Sequence, residues 1–253
     1  MCIRDRLISI FISGKRPSGS SDPYALRRNL NGVILIIWQF ELDLSLENIF
    51  EELLEYWKIS LPNLRFEKEK VLNDLIEFTN QRVISHLEEL SIGKDIINAT
   101  CLIYSSIEKG IINILDLKNR INTIERLKRK KDFSEIQKVI SRVSKLAEKG
   151  NLKKTILLYS GYINPDLFEK KCETKVFEFI KNLERLLSLP SWDYFELFNL
   201  FEINTDNLNE LFDNEKGVLV MAENPEIRNN RLNLLGLIRN YSLKLADFTL
   251  FNS

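Results

Sequence analysis

The stretch Asn224-Pro225-Glu226-Ile227-Arg228-Asn229-Asn230-Arg231-Leu232, with the sixteen residues that follow it, decides the fold. Asn224 can accept hydrogen bonds from the free amides of a helix start, and Pro225 suits the first helical turn, where its missing N–H costs nothing. From there Ile227, Arg231, Leu234, Ile238, Tyr241, Leu245 and Phe248 recur at alternating steps of four and three. That is the apolar seam of a helix, with one charged member. Arg231 reads two ways. It sits at the edge of the stripe with its charged head in water, as long cationic side chains do, or it is held inward to meet an acid or a phosphate.

The same kind of start signal stands at Asp22-Pro23 and at Asn164-Pro165. Tyr24-Ala25-Leu26-Arg27-Arg28 then leads into the apolar stretch Val33–Phe40, read as an amphipathic helix that becomes buried. Ser45 can cap a helix from Leu46 to Trp57. Pro62-Asn63 breaks the chain before a long pattern through Val71, Leu75 and Phe78, and Ile96–Leu117 is again apolar at helical spacing, interrupted near Gly110. Asp132-Phe133-Ser134-Glu135 reads as a capping box, with Ile136, Val139, Ile140 and Val143 inside the helix it opens and Gly150-Asn151 closing it. Composition agrees: 40 Leu stand against 15 Val plus Thr and 15 Gly plus Pro in 253 residues, which favours helices over sheets. The expectation is an all-α protein, a helical bundle domain followed by a second helical domain, with the boundary near Leu117.

Several chemistries are excluded. The one histidine, His86, has no clustered partner with which to hold a metal, and Cys2, Cys101 and Cys172 form no Cys-x-x-Cys pair. Three dispersed thiols suit a reducing compartment. Residues 14–21 have the glycine spacing of a phosphate loop, but Ser20 stands where the lysine must be. The longest apolar run is too short to span a bilayer, and no secretory signal is visible. The expected catalytic set is empty, and so is the metal set.

Charge is what the sequence distributes unevenly. Lys+Arg and Asp+Glu both number 36, a net of zero. Yet residues 118–154 hold thirteen bases against four acids, a net of +9, while residues 193–226 hold nine acids against Lys216, a net of −8. A third segment, Glu41 to Tyr56, has six acids and no base. A polyanion feels the field within about 10 Å rather than the sum over the chain, so the basic segment is a candidate nucleic-acid surface.

Three stretches together carry a resemblance. Arg16-Pro17-Ser18-Gly19-Ser20-Ser21-Asp22-Pro23-Tyr24-Ala25-Leu26-Arg27-Arg28 resembles the Pro-(x)n-Asp-Pro-Phe/Tyr-Ala-Leu-Arg-Arg signature of the bacterial glycyl-tRNA synthetase β subunit. Val218-Leu219-Val220-Met221 with Arg228-Asn229-Asn230-Arg231-Leu232 is similar to that family's Val-x-Val-Met and Arg-x-Asn-Arg-Leu. Leu245-Ala246-Asp247-Phe248-Thr249-Leu250 resembles its closing Val-Ala-Asp-Ile/Phe-Ser-Leu, and Arg142-Val143-Ser144 matches a further point. The motifs fall in family order from about residue 7. Residues 1–6 do not resemble the family and read as a non-native start, such as translated adapter sequence. Asn214-Glu215-Lys216-Gly217 makes a longer gap than many relatives show.

The resemblance implies the C-terminal part of that subunit: residues 7–117 a helical core region, and 118–253 a helical anticodon-binding domain like that of arginyl-tRNA synthetases (the DALR type). It implies a cytoplasmic role in protein biosynthesis, with glycine tRNA and a separate α subunit as partners in an α2β2 assembly, and with neither DNA nor a membrane involved. ATP, Mg and the ligation chemistry would belong to the α subunit, leaving this chain without a cofactor; the family's upstream domain related to His-Asp phosphohydrolases is absent, in keeping with one His. The residues then expected to meet tRNA are Arg120, Arg126, Lys128, Arg129, Lys130, Lys131, Arg142, Lys145, Arg228, Arg231 and Arg239, with Tyr159 or Tyr162 as stacking surfaces. The rival reading is a helical protein-interaction scaffold with no RNA role, its acidic stretches serving as partner surfaces.

Overall fold

The computed structural model describes residues 3–17, 22, 24–107 and 113–251; Cys2, Ser18–Ser21, Pro23 and Gly110 lie outside the described residues. Among those described there are eleven α-helices and no strand: α1 (Ile3–Ile12), α2 (Leu26–Gln39), α3 (Leu46–Ser60), α4 (Lys68–Glu89), α5 (Lys94–Ile107), α6 (Ile114–Leu127), α7 (Phe133–Ala147), α8 (Lys171–Leu187), α9 (Tyr194–Ile203), α10 (Thr205–Glu210) and α11 (Pro225–Leu243). Two 3-10 turns, Pro165–Leu167 and Phe248–Leu250, complete the set. The chain forms two compact units, Met1–Ile97 with Tyr104–Asn119, and Asn98–Ile103 with Arg120–Ser253.

In the first unit α4 packs against α1, α2 and α3, burying Leu75 and Val83 completely, along with Leu26 and Ile34 of α2 and Leu54 of α3. The local signals act as capping chemistry requires. Asp22 reaches past Ala25, which is left-handed at φ 54°, and its carboxylate accepts from Leu26 N at 2.8 Å and Arg27 N at 3.0 Å. Ser45 Oγ accepts from Asn48 N at 3.3 Å. The run Val33–Phe40 is not buried as its composition suggests. Helical geometry turns part of it outward, and Leu35, Ile36 and Phe40 are exposed. Trp38 is buried; its indole N–H donates to Ile114 O at 3.0 Å, and its own carbonyl accepts from Lys118 Nζ at 2.8 Å. His86 lies 5.3 Å from the Trp38 ring, with Nδ1 3.4 Å from Glu89 Oε2.

In the second unit α7 lies along α11, the Phe248–Leu250 turn closes on α7, and α8 contacts α9, α10 and α11. Ile136, Ile140, Val143 and Ala147 of α7 are buried. Phe133, Phe198, Phe248 and Phe251 form one ring cluster with centroids 5.6–6.4 Å apart. Asn224 caps α11 as expected, its Oδ1 accepting from Glu226 N at 2.9 Å. Leu234, Ile238 and Tyr241 are buried along α11, and Leu245 and Phe248, expected on the same helix, are buried beyond its end at Leu243; Tyr241 Oη donates to Leu157 O. Gly236 lets residue 152 approach the helix: a Cβ there would lie 2.9 Å from Leu152 Cδ2 and 3.1 Å from its Cβ.

Two local expectations are corrected. Asp132 makes no cap with its side chain, because its backbone is already helical (φ −91°, ψ −3°) rather than extended, the geometry from which a carboxylate can swing to the amides. Asn164-Pro165 opens only a 3-10 turn, with Asn164 Oδ1 accepting from Asp166 N at 3.1 Å; α8 starts at Lys171 on a different signal. That signal is Glu173, whose Oε2 accepts from Glu169 N at 2.8 Å and Lys170 N at 3.0 Å.

Candidate nucleic-acid interface

The amphipathic pattern of α7 fixes its surface as firmly as its core. With Ile136, Val139, Ile140 and Val143 buried, the opposite side must carry the residues between them. Those are Lys138, Arg142 and Lys145, and Lys149 just beyond the helix continues the line. All four are exposed. Steps of four, three and four keep them on one face, and at 1.5 Å per residue the distance from Lys138 to Lys145 along the axis is about 10 Å. Among the described residues Lys138, Lys145 and Lys149 have no ion-pair partner. Arg142 lies over Phe212, with Cζ 4.3 Å from the ring centroid, a contact that does not neutralise its charge.

The turn leading into α7 adds four exposed cations, Lys128, Arg129, Lys130 and Lys131. Lys130 is paired with Glu202 at 2.7 Å and lies over Phe198, so the acidic stretch 193–226 neutralises part of this turn. Lys128 Nζ lies 5.6 Å from the Phe251 ring centroid. Along α6, Arg126 is exposed over Phe195, and Arg120 donates from Nε to Tyr194 Oη at 2.9 Å while lying over the same ring. Trp192 meets Tyr194 edge to face. Of these rings Trp192, Tyr194 and Phe195 reach the surface, whereas Phe198 and Phe251 belong to the core.

The remaining expected contacts are placed differently. Arg228 is half-buried and donates to Ala222 O at 3.3 Å. Arg231 and Arg239 are 4% and 3% exposed, and the protein itself occupies their donors. Arg231 turns inward: Nε donates to Glu173 Oε1 at 2.9 Å, Nη2 to Glu169 Oε2 at 2.6 Å, and Nη1 to Leu219 O at 3.1 Å. Burial works against its charge, but the two carboxylates outweigh burial and hold its pKa above the ordinary value. Arg239 donates to Leu152 O at 2.7 Å and to Asn240 Oδ1 at 3.0 Å, with Glu148 3.6 Å away; there burial prevails and lowers its pKa. A guanidinium buried and bonded in this way does not reach a phosphate outside, so neither belongs to the surface. Tyr159 packs edge-on against Phe177, whereas Tyr162 is exposed.

Lys138 and Lys149 are the residues that sequence reasoning left off the site, although the spacing that joins them to Arg142 and Lys145 was visible. The rings of Tyr194, Phe195 and Phe212 carried no such signal, since each lies 69 or more residues from the arginine it meets. Among the described residues no group of three or more His, Cys, Asp or Glu could hold a metal ion, and no helix is long and apolar enough to cross a membrane.

Fold and surface define an all-helical chain whose second unit presents a cationic face on α7, with Arg142 over Phe212. Residues 4–102 match the family described as glycyl-tRNA synthetase beta subunit. The chain is 33% identical over 253 residues to the glycine–tRNA ligase beta subunit of Acaryochloris marina, 34% over 252 to that of Picosynechococcus sp. and 32% over 246 to that of Aquifex aeolicus. Each comparison covers 96% of this chain, and 34%, 34% and 31% of the respective relative. Over nearly its whole length the chain is similar to these glycine–tRNA ligase beta subunits, and it spans about a third of the length of the curated relatives it matches.

Proposed function

We propose that the second unit binds the anticodon arm of glycine tRNA, as a helical anticodon-binding domain of the kind found in arginyl-tRNA synthetases. The chain would then be the recognition part of a cytoplasmic glycine–tRNA ligase whose separate α subunit holds ATP and Mg and forms the ester bond. The observation that carries the reading is the exposed row Lys138, Arg142, Lys145 and Lys149, continuous in sequence with the basic turn 128–131. Such a row neutralises phosphates and fixes the register of the RNA, while base identity is read elsewhere, by stacking and by hydrogen bonds at base edges.

The test is binding of glycine tRNA to the chain across a salt series. Each phosphate contact contributes roughly 0.7–0.9 to the slope of log affinity against log salt. Changing the four row residues together to Gln lowers that slope by up to about 3 and weakens cognate and non-cognate tRNA alike. Unchanged affinity and slope in the fourfold variant overturn the reading. A second reading, a protein-interaction scaffold without an RNA role, draws on the first unit, where Leu35, Ile36 and Phe40 are exposed; it predicts no salt-dependent tRNA binding at all.

A further inference from the structure

Beyond the basic row, the second unit holds a cavity of about 340 Å³ between the loop 161–164 and the first turns of α11. Its lining includes Tyr162, Asn164, Glu226, Asn229, Asn230 and Asn233, and no Lys or Arg. The volume lies at the small end of the roughly 300–1,000 Å³ typical of small-molecule pockets.

The walls are fixed before any ligand arrives. Asn230 is buried and clasps the loop like a strand partner: Oδ1 accepts from Asn164 N at 2.8 Å, and Nδ2 donates to Asn164 O at 2.9 Å. One turn on, Asn233 Nδ2 donates to Tyr162 O at 2.8 Å. Gly161, at φ +80°, makes the turn that lets the loop present Tyr162. Other groups remain available. Among the described residues the Asn229 amide and the Glu226 carboxylate have no partner, Asn233 retains its Oδ1, and Tyr162 is 41% exposed.

An aromatic face beside amides and a carboxylate suits a flat ligand with donors and acceptors on its rim. A phosphate is disfavoured, since the cavity has no cation and one acid; an apolar side chain is disfavoured by the amides. The cavity and the basic row belong to one compact unit, in which α7 lies along α11. Gly150, next to Lys149, packs against Leu232, the residue before Asn233. The geometry points to a subsite for one unstacked nucleobase of the RNA held along α7, an inference that rests on the tRNA-binding reading above. The base stacks on Tyr162, the Asn229 and Asn233 amides meet its polar edge, and Glu226 accepts from an exocyclic amine, so a base carrying one is preferred to uracil.

The experiment compares the full chain with Tyr162→Ala, Tyr162→Phe and Asn229→Ala, on glycine tRNA and on tRNAs made abasic at each anticodon-loop position in turn. Tyr162→Ala is expected to weaken binding roughly 5- to 150-fold, the worth of one stacked base, without changing the salt slope, and Tyr162→Phe is expected to retain binding. At one abasic position the Tyr162→Ala and Asn229→Ala losses disappear. If the parent binds with steep salt dependence while Tyr162→Ala, folded by circular dichroism, binds equally well, the subsite is refuted and the tRNA reading stands. A loss of equal size on every abasic tRNA refutes the subsite in the same way. Absence of salt-dependent binding by the parent overturns both.

Discussion

Changing Arg231 to Met separates a structural from an RNA-contacting role for the charged member of the α11 seam. The guanidinium makes ionic hydrogen bonds to Glu173 at 2.9 Å and Glu169 at 2.6 Å, and Glu173 is fully buried. Removing one partner of a buried pair leaves the other uncompensated, at a cost of about 3–5 kcal/mol. Glu173 still accepts from the amides of Glu169 and Lys170, so its charge is not wholly abandoned and the low end, about 3 kcal/mol, is expected. That is a large share of the roughly 5–15 kcal/mol by which domains are stable. Urea unfolding followed by circular dichroism should show a lower midpoint at unchanged slope. Glu173→Gln should likewise destabilise, and the double variant should lose less than the sum, because the two singles break one interaction. The folded fraction should bind tRNA as the parent does. A stability loss under about 1 kcal/mol together with weakened tRNA binding would refute the assignment and return Arg231 to the RNA surface.

Two further outcomes follow from the same structure. Burial pushes the Cys101 thiol up to about 11 from 9.0; the folded state keeps a proton that the unfolded chain gives up, so this contribution is complete below pH 9 and is lost between about pH 9 and 11, roughly 3 kcal/mol in all. Tyr241, also raised by burial, adds to the loss above pH 10, so the check is Cys101→Ala against the parent across pH 8–11; equal losses would contradict it. At Gly217 an added Cβ would lie 2.5 Å from Asp213 O and 2.6 Å from both Asp213 N and Leu211 O, all backbone, so Gly217→Ala should cost about 1–3 kcal/mol in the same unfolding assay. A neutral result would mean that the loop 213–217 adapts freely.

What could be read from the sequence was what physics makes local. Asp22, Ser45 and Asn224 cap their helices because cap and amide lie within five residues of each other, and the α7 and α11 seams follow from a 3.6-residue period. Where a decision depends on a distant partner, the pattern is silent. Whether Arg231 snorkels or turns inward is settled by Glu173 and Glu169, 58 and 62 positions away, and no periodicity encodes that. Asp132 shows the opposite failure: the residue types of a capping box are present, but the preceding turn delivers the backbone in a helical conformation that spoils the cap. Of the candidate surface, the row on α7 was implicit in spacing. The rings beside Arg120, Arg126 and Arg142 became visible only once helices remote in sequence were packed together.

The arrangement divides stability and recognition by angle around single helices. On α7 the apolar side is spent on α11 and the cationic side is left to solvent, so the row can change without opening a cavity. On α11 charge is taken inside, where Arg231 and Arg239 bond to carbonyls and carboxylates of their own unit and hold α8 and the Leu152 segment in place. Two arginines on α11 therefore do different work from Arg142 on α7, although residue type alone would group them. The zero net charge of the chain has the same origin. Acids that pair inside, such as Glu173, or that cap a neighbouring cation, such as Glu202 on Lys130, cancel charge in the sum but not at the exposed face of α7. A polyanion approaching that face meets Lys138, Arg142, Lys145 and Lys149 in turn, each within a Debye length of the next, and it is this local field that draws it in.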